Sequence, residues 1–357
     1  MSNNNMEKYG YNSFFENQVN KLNITSEDLI PGRVTEVQKE LYKIVTEYGE
    51  NSGKLKGSLF YNDKIYSVYP TIGDFVLVKH NPLGEDVIYR VLERKSKFSR
   101  LDSFNKVEQL VAANFDYVFI MLSLNNDFSL KRTERYLTAA WQSGALPVII
   151  MTKLDLCDNY SLQKAEIEKI APSVPIIAVS SISGEGLEEL WSYIEPYKTV
   201  VFLGSSGIGK STLVNALCGE EIMKVNTIRE DDSKGRHTTT HRQLIKLKNN
   251  AMIIDTPGMR ELGMWDATQG LEIAFDEIGE LSKQCRFRDC MHEKEPGCAV
   301  RTALESGELP KERWDNYTKL KKEARFAESK ENIGIRLKEK AKWKSMSKFQ
   351  KQSKRGL

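Results

Sequence analysis

A chain of 357 residues, 40% hydrophobic, is long enough for two or three domains and has the make-up of a globular protein. Its formal net charge of +3 excludes a uniformly polycationic or polyanionic chain, and no unbroken run of about 18 apolar residues offers a membrane span. The opening MSNNNMEKYGYNSFFENQ lacks the basic-then-apolar order of a secretory signal, so a cytoplasmic protein without membrane contact is expected.

Residues 1–30 read as a polar N-terminal arm with one short helix. Over 31–100, five short β-branched runs alternate with turn residues such as Gly49, Gly53, Asn81 and Pro82. Five strands in so short a span predict a small closed barrel, an OB-fold being the commonest; an SH3-like barrel stays open. The basic, hydroxyl-rich run Arg94–Lys106 reads as a solvated connector or a nucleic-acid contact. From 101 to 270, apolar strands (Tyr117–Leu122, Pro147–Met151, Pro175–Val179, Thr199–Leu203) alternate with helical spacings, which predicts an α/β domain on a mainly parallel sheet. Residues 271–357 read as a helical domain with a Cys-rich loop. Its tail from Lys338 to Arg355 carries many cations against Glu339, and suits a polyanion or a solvated helix equally.

The most specific local signal is Gly204-Ser205-Ser206-Gly207-Ile208-Gly209-Lys210-Ser211-Thr212. It follows an apolar strand and opens a helix, as a phosphate-binding P-loop must. The glycines let consecutive N–H groups converge on phosphates, and the helix N-terminus favours the negative charge. Lys210 is expected at the β- and γ-phosphates, Ser211 on Mg2+ and Thr212 near the α-phosphate. Downstream, Asp255-Thr-Pro-Gly258 ends another apolar strand. Asp255 is placed to hold Mg2+, directly or through water, and the Gly258 N–H to meet the γ-phosphate.

A P-loop does not choose between ATP and GTP. Thr152-Lys153-Leu154-Asp155 does, because the Asp155 carboxylate can accept two hydrogen bonds from the guanine edge, where adenine has no such donor pair. The Lys153 stem can lie over the base. Ser180 and Ser181 follow the next strand and offer backbone N–H groups to the guanine carbonyl. These residues resemble the base-reading motifs of TRAFAC-type GTPases, with Thr152 where Asn is usual. They precede the P-loop instead of following it, so the GTPase reads as circularly permuted, with its DTPG switch feeding straight into the C-terminal segment.

Between P-loop and DTPG lies Lys234-Gly-Arg-His237-Thr-Thr239-Thr240. Thr239 or Thr240 is expected on Mg2+. Met259 stands where Ras-like enzymes carry a water-orienting glutamine, so His237 becomes the candidate for positioning water, packing or RNA contact being the alternative. Cys285-x4-Cys290-x-His292-x5-Cys298 offers three thiolates and one imidazole, the ligand set of a closed structural zinc site, one ion per chain. Cys157 and Cys218 are expected to be buried apolar residues.

Barrel, permuted GTPase and Cys-His segment in this order resemble the ribosome-small-subunit-dependent GTPases, the RsgA family. The resemblance covers nearly the whole chain after Pro31. It is most specific at Ala112-Ala-Asn-Phe-Asp-Tyr-Val, GRHTTT, DTPG-x-R-E and the cysteine spacing. It implies an OB-fold, a zinc-bound C-terminal domain, binding of GTP and GDP, contact with the small ribosomal subunit and its rRNA, and a part in late subunit maturation. A slow, monomeric GTPase stimulated by the subunit is the leading expectation. The alternatives are a nucleotide-gated RNA-binding module with little hydrolysis and a nucleotide-dependent enzyme acting on RNA or a small substrate.

Overall fold

A computed structural model describes residues 4–22, 29–38, 41–57, 69–101, 108–124, 128–223, 242–255 and 267–327. Strands β1 (Leu29–Gln38), β2 (Leu41–Thr46), β3 (Gly49–Leu55), β4 (Phe75–Lys79) and β5 (Asp86–Val91) pair in the order β1-β2-β3-β5-β4. β4 then returns to β1, with Leu29 opposite Lys79 and Arg33 opposite Phe75, which closes the barrel. Only β3 and β5 run parallel. This is the five-stranded OB arrangement, and closure leaves the barrel without a free edge pair. Alternate residues Val34, Ile44, Val76, Val78 and Ile88 fill its interior.

The expected polar arm is well packed. Helices α1 (Asn4–Glu7) and α2 (Ser13–Lys21) and the segment joining them bury Met6, Phe15 and Tyr11 against Val45, Phe75 and Leu77 on the outside of the barrel. The Phe15 and Phe75 ring centroids are 4.1 Å apart. Burial of these three side chains outweighs the polar composition around them. The basic run expected as a connector contributes strand β6 (Lys97–Leu101), paired antiparallel with β7 (Glu108–Ala113). The ladder is irregular, its register shifting between Phe98 and Ser99: Phe98 stacks on Phe115, Lys97 bonds Glu108 and Arg100 bonds Gln109.

The nucleotide-type sheet contains β8 (Tyr117–Ser123), β9 (Leu146–Thr152), β10 (Ile176–Val179), β11 (Thr199–Leu203), β12 (Arg242–Lys246) and β13 (Met252–Asp255), in the spatial order β10-β9-β8-β11-β13-β12. All are parallel to their neighbours except β12. Read from β11, the strand that enters the P-loop, the chain would run β11-β12-β13 and then β8-β9-β10. The sheet is that of a P-loop nucleotide-binding domain whose second half comes first in sequence: a circular permutation.

Two features weld barrel to sheet. β12 pairs with β13 on one side and with barrel strand β1 on the other, with Gln243 facing both Asp255 and Glu36. At the far end, Arg33 of β1 is 1% exposed. Its guanidinium donates to the carbonyls of Tyr9, Gly73 and Asn114 and to Thr199 Oγ1 (2.9 Å), and touches Met252 Sδ. One buried cation thus ties the N-terminal segment and barrel to the first residues of β11 and β13. Burial pulls its pKa down to about 10, while Asp116 and Asp74 pull it back up.

Helices α3 (Leu130–Ser143), α4 (Ser161–Ile170), α5 (Leu187–Trp191) and α6 (Lys210–Cys218) connect the strands of the sheet. Of the C-terminal helices, α7 (Thr268–Ala274) packs on α3, α8 (Asp276–Lys283) follows it and meets α9 (Ala299–Ser306), while residues 311–327 reach α3 through side-chain hydrogen bonds. A Cβ at Gly270 would meet the Thr138 carbonyl at 2.2 Å, so only glycine allows α7 this close to α3. Glu134 of α3, almost fully buried, accepts from Arg313 at 2.8 Å and from Asn316, while Arg313 also pairs with Glu277. Among the described residues no helix is long and apolar enough to cross a membrane.

Candidate functional site

The P-loop leaves the fully buried strand β11 at Leu203 and enters α6 (Lys210–Cys218). Gly207 and Gly209 take φ of +72° and +100°, the left-handed region that a side chain disfavours. Ile208, 4% exposed, anchors the loop in the core beneath it. Ser205, Ser206, Ser211 and Thr212 lie along the accessible rim. Lys210 Nζ stands 2.6 Å from Asp255 Oδ1 at the end of β13, and Asp255 is 3% exposed. The expected phosphate lysine and the expected magnesium carboxylate therefore meet at one point, although 45 residues separate them. Each neutralises the other, a requirement for a carboxylate so deeply buried.

The base-reading residues reach the same end of the sheet. Thr152, at the end of β9 and 2% exposed, donates through Oγ1 to the Ile208 carbonyl at 2.7 Å. It thus braces the P-loop from beneath, as the more usual asparagine would. The Thr152→Val chain leaves that carbonyl unmatched and is expected to bind GDP about 10-fold more weakly; calorimetric titration measures this. Lys153 sits at φ +62° and turns the chain into the Leu154–Leu156 turn. Asp155 is exposed, and its Oδ1 accepts a 2.6 Å bond from the Ser180 hydroxyl. Ser180 is fully buried and its Oγ also accepts the N–H groups of Ile182 and Ser183. Its side chain therefore orients Asp155, a role that the sequence reading, intent on backbone N–H groups near Ser181, does not contain. Ser181 is itself partly exposed at this edge. His237, Thr239, Thr240 and Gly258 lie outside the described residues. Cys218 is buried as expected, but Cys157 is only half-buried, because it follows the surface turn that presents Asp155.

The metal-type ligands converge as a second centre. The donor atoms of Cys285, Cys290, His292 and Cys298 all lie within 4.8 Å of one another. Cys285 Sγ and Cys298 Sγ are 3.9 Å apart, and His292 Nδ1 lies 3.6 and 3.4 Å from them. A tetrahedral ion with sulfur at about 2.3 Å and nitrogen at about 2.0 Å sets about 3.8 Å between sulfurs and about 3.5 Å between nitrogen and sulfur. The residues fit such an ion. The far ring nitrogen of His292, Nε2, faces Ser282 Oγ at 3.3 Å, and that hydroxyl donates onward to the Ile278 carbonyl. This leaves Nδ1 free to ligate, with the ring orientation held from behind. Burial pushes the His292 imidazole below its ordinary value, which favours the neutral, ligating form. His292 itself has φ +62°, and Glu295 accepts the N–H groups of Met291, Glu293 and Lys294 around it. Those backbone donors, with its own first, hold the Glu295 carboxyl down at about 2. Neither Ser282 nor Glu295 carried a signal in the spacing of the cysteines.

A family model described as RsgA GTPase matches residues 91–265. A second, described as ABC transporter, matches 187–354; the two overlap across the P-loop, a strand–loop–helix common to many nucleotide-binding families. The protein "Small ribosomal subunit biogenesis GTPase RsgA 1" of Listeria innocua is 47% identical over 343 residues, 96% of each chain. The RsgA of Methanosarcina acetivorans is 40% identical, covering 89% of this chain and 86% of its own. The crystal structure of YjeQ from Thermotoga maritima aligns with a TM-score of 0.61 at 28% identity, over 82% of this chain and 97% of that one. YloQ, described as a circularly permuted GTPase, aligns with a TM-score of 0.58 over 87% of this chain and 98% of its own; at 24% identity it shows the shared fold.

Proposed function

The chain belongs to the RsgA GTPase family, and from that membership we propose that it hydrolyses GTP to GDP and phosphate as a cytoplasmic, monomeric factor in late maturation of the small ribosomal subunit. One observation carries the nucleotide reading: the Thr152 hydroxyl on the Ile208 carbonyl, which joins the base-reading strand end to the P-loop across the permuted sheet. A single ligand can then touch Gly204–Thr212 with its phosphates and Asp155 with its base. Asp155, oriented by Ser180, accepts from the guanine edge, and Ser181 lies beside the guanine carbonyl. Leu154 and Lys153 border the base.

Lys210 and Asp255 divide the charge between them. Lys210 turns to the β- and γ-phosphates and stabilises the charge that grows there in the transition state. Asp255 and the Ser211 hydroxyl, with Thr239 or Thr240, hold the magnesium ion, which neutralises phosphate charge when bound. Gly258 contacts the γ-phosphate. His237 positions the attacking water, and the His237→Ala chain loses about 100-fold or more of its stimulated turnover. The Cys285, Cys290, His292 and Cys298 centre holds zinc as a structural ion, with no open position for chemistry. Replacing Cys290 by Ser lowers zinc well below one ion per chain in freshly purified protein, read by metal analysis. The barrel, the Arg94–Lys106 segment and the basic tail contact rRNA.

The deciding measurement is GTP turnover with and without isolated small subunits. Turnover that rises with the subunits supports the proposal. No turnover in either condition sinks the hydrolytic reading and leaves a nucleotide-gated RNA-binding module.

A further inference from the structure

Ser123 ends β8 and is 1% exposed, yet among the described residues its hydroxyl has no hydrogen-bond partner. A buried hydroxyl left unpaired costs stability, and native proteins keep few of them. Its place in the sheet gives this one a use. Phe119 and Met121 before it enter the core on the side of Ile208 and α6. The alternation of a strand turns Ser123 to that same side. β8 runs parallel to β11 with Ile120 opposite Leu203, so Ser123 stands beyond the last pair, at the level where the neighbouring chain has become the P-loop. A Cβ at Gly204, the first residue of that loop, would meet Met121 Cβ at 3.1 Å, which sets the start of the loop over this face. On the other side Thr152, the register partner of Ser123 in β9, holds the Ile208 carbonyl.

We propose that Ser123 is a positioning residue of the nucleotide site: when bound phosphates order the P-loop, its hydroxyl bonds the loop backbone, a second brace beside Thr152. This rests on the nucleotide reading given above. The side chain touches neither base nor phosphate and acts through the loop, so it serves GDP and GTP alike. The nucleotide-free chain carries the cost of the unpaired hydroxyl, and binding relieves it. Part of the affinity is therefore stored as lost stability before the ligand arrives.

The test compares wild type, Ser123→Ala and Ser143→Ala as full chains stripped of nucleotide, by thermal melting and by calorimetric titration with GDP. Ser143, also buried, donates to the Ala140 carbonyl and accepts the Ala145 N–H, and is the control for a serine with a structural role. Ser123→Ala is expected to bind GDP about 10-fold more weakly, while its nucleotide-free melting temperature stays at or above that of wild type, because no bond is lost there. Ser143→Ala does the opposite, melting lower and binding GDP as wild type does. In Ser123→Ala the KM for GTP rises and kcat at saturation stays within about twofold. A brace needed in every state would instead lower the melting temperature together with the affinity. GDP affinity in Ser123→Ala equal to that of wild type, or a nucleotide-free melting temperature below it, overturns the inference and leaves the nucleotide reading standing. Failure of wild type itself to bind GDP overturns both.

Discussion

The Lys210→Ala chain is expected to lose about 10²–10³-fold in kcat for GTP, beyond any loss of affinity. The argument starts from the 2.6 Å contact between Lys210 Nζ and Asp255 Oδ1. In the proposed mechanism the ammonium leaves that carboxylate for the phosphates, where its charge acts most strongly as the γ-phosphoryl group departs. An interaction that strengthens on the way to the transition state appears in kcat, so single-turnover hydrolysis at saturating GTP is the measurement. The variant has a second, separable effect. It strands Asp255, only 3% exposed, without its cation, which destabilises the chain even without nucleotide. Adding Asp255→Asn should recover part of the melting temperature and none of the turnover. Turnover near wild type in Lys210→Ala would remove the lysine from the chemistry.

Asp155→Asn is expected to reverse base preference, lowering the GTP-to-XTP ratio of kcat/KM by about 100-fold or more, because two hydrogen bonds to a charged acceptor are exchanged. The geometry makes this variant unusually clean. An asparagine can still accept the Ser180 hydroxyl through Oδ1, so the side chain keeps its orientation and turns its NH2 group toward the base. Guanine then meets a donor with its own donors, while the carbonyl of xanthine finds a partner. Competition between GTP and XTP in one assay reads the ratio directly, and an unchanged ratio would refute the assignment of Asp155.

What the sequence made legible was what it holds close together. Gly204–Thr212 is one continuous loop, Thr152–Asp155 one turn, and the four metal-type ligands span a single short segment. Each motif carries its chemistry in residue type and spacing, and their order alone announced the permuted sheet that β10-β9-β8-β11-β13-β12 displays. Long-range contacts were another matter. Arg33 is a lone cation in an alternating strand, a pattern that ordinarily points to water; its acceptors come from the N-terminal segment, from the loop at Asn114 and from β11. Glu134 reads as an ordinary polar helical residue until Arg313 and Asn316 arrive from the C-terminal helices. Ser180 was legible as part of a motif, yet its two jobs, orienting Asp155 and tying down its own turn, depend on a partner 25 residues away in the chain and on the fold of the turn itself. Met6, Tyr11 and Phe15 were diluted by polar neighbours, so their joint burial against the barrel had no periodic signature.

The pairing of β12 with β1 bears on how this molecule can be taken apart. Composition changes near residue 100, and that is where a cut would be drawn. Hydrogen bonding draws no line there: Gln243 lies between Asp255 on one strand and Glu36 on the other. Severing the barrel would strip β12 of a partner and leave a bare strand edge, an invitation to self-association. It would also deprive Thr199 and the Asn114 carbonyl of the guanidinium that Arg33 brings to them. Barrel and nucleotide sheet are two domains by sequence and one piece by construction. Insertions, tags and excisions are better borne elsewhere on the chain than at that apparent border.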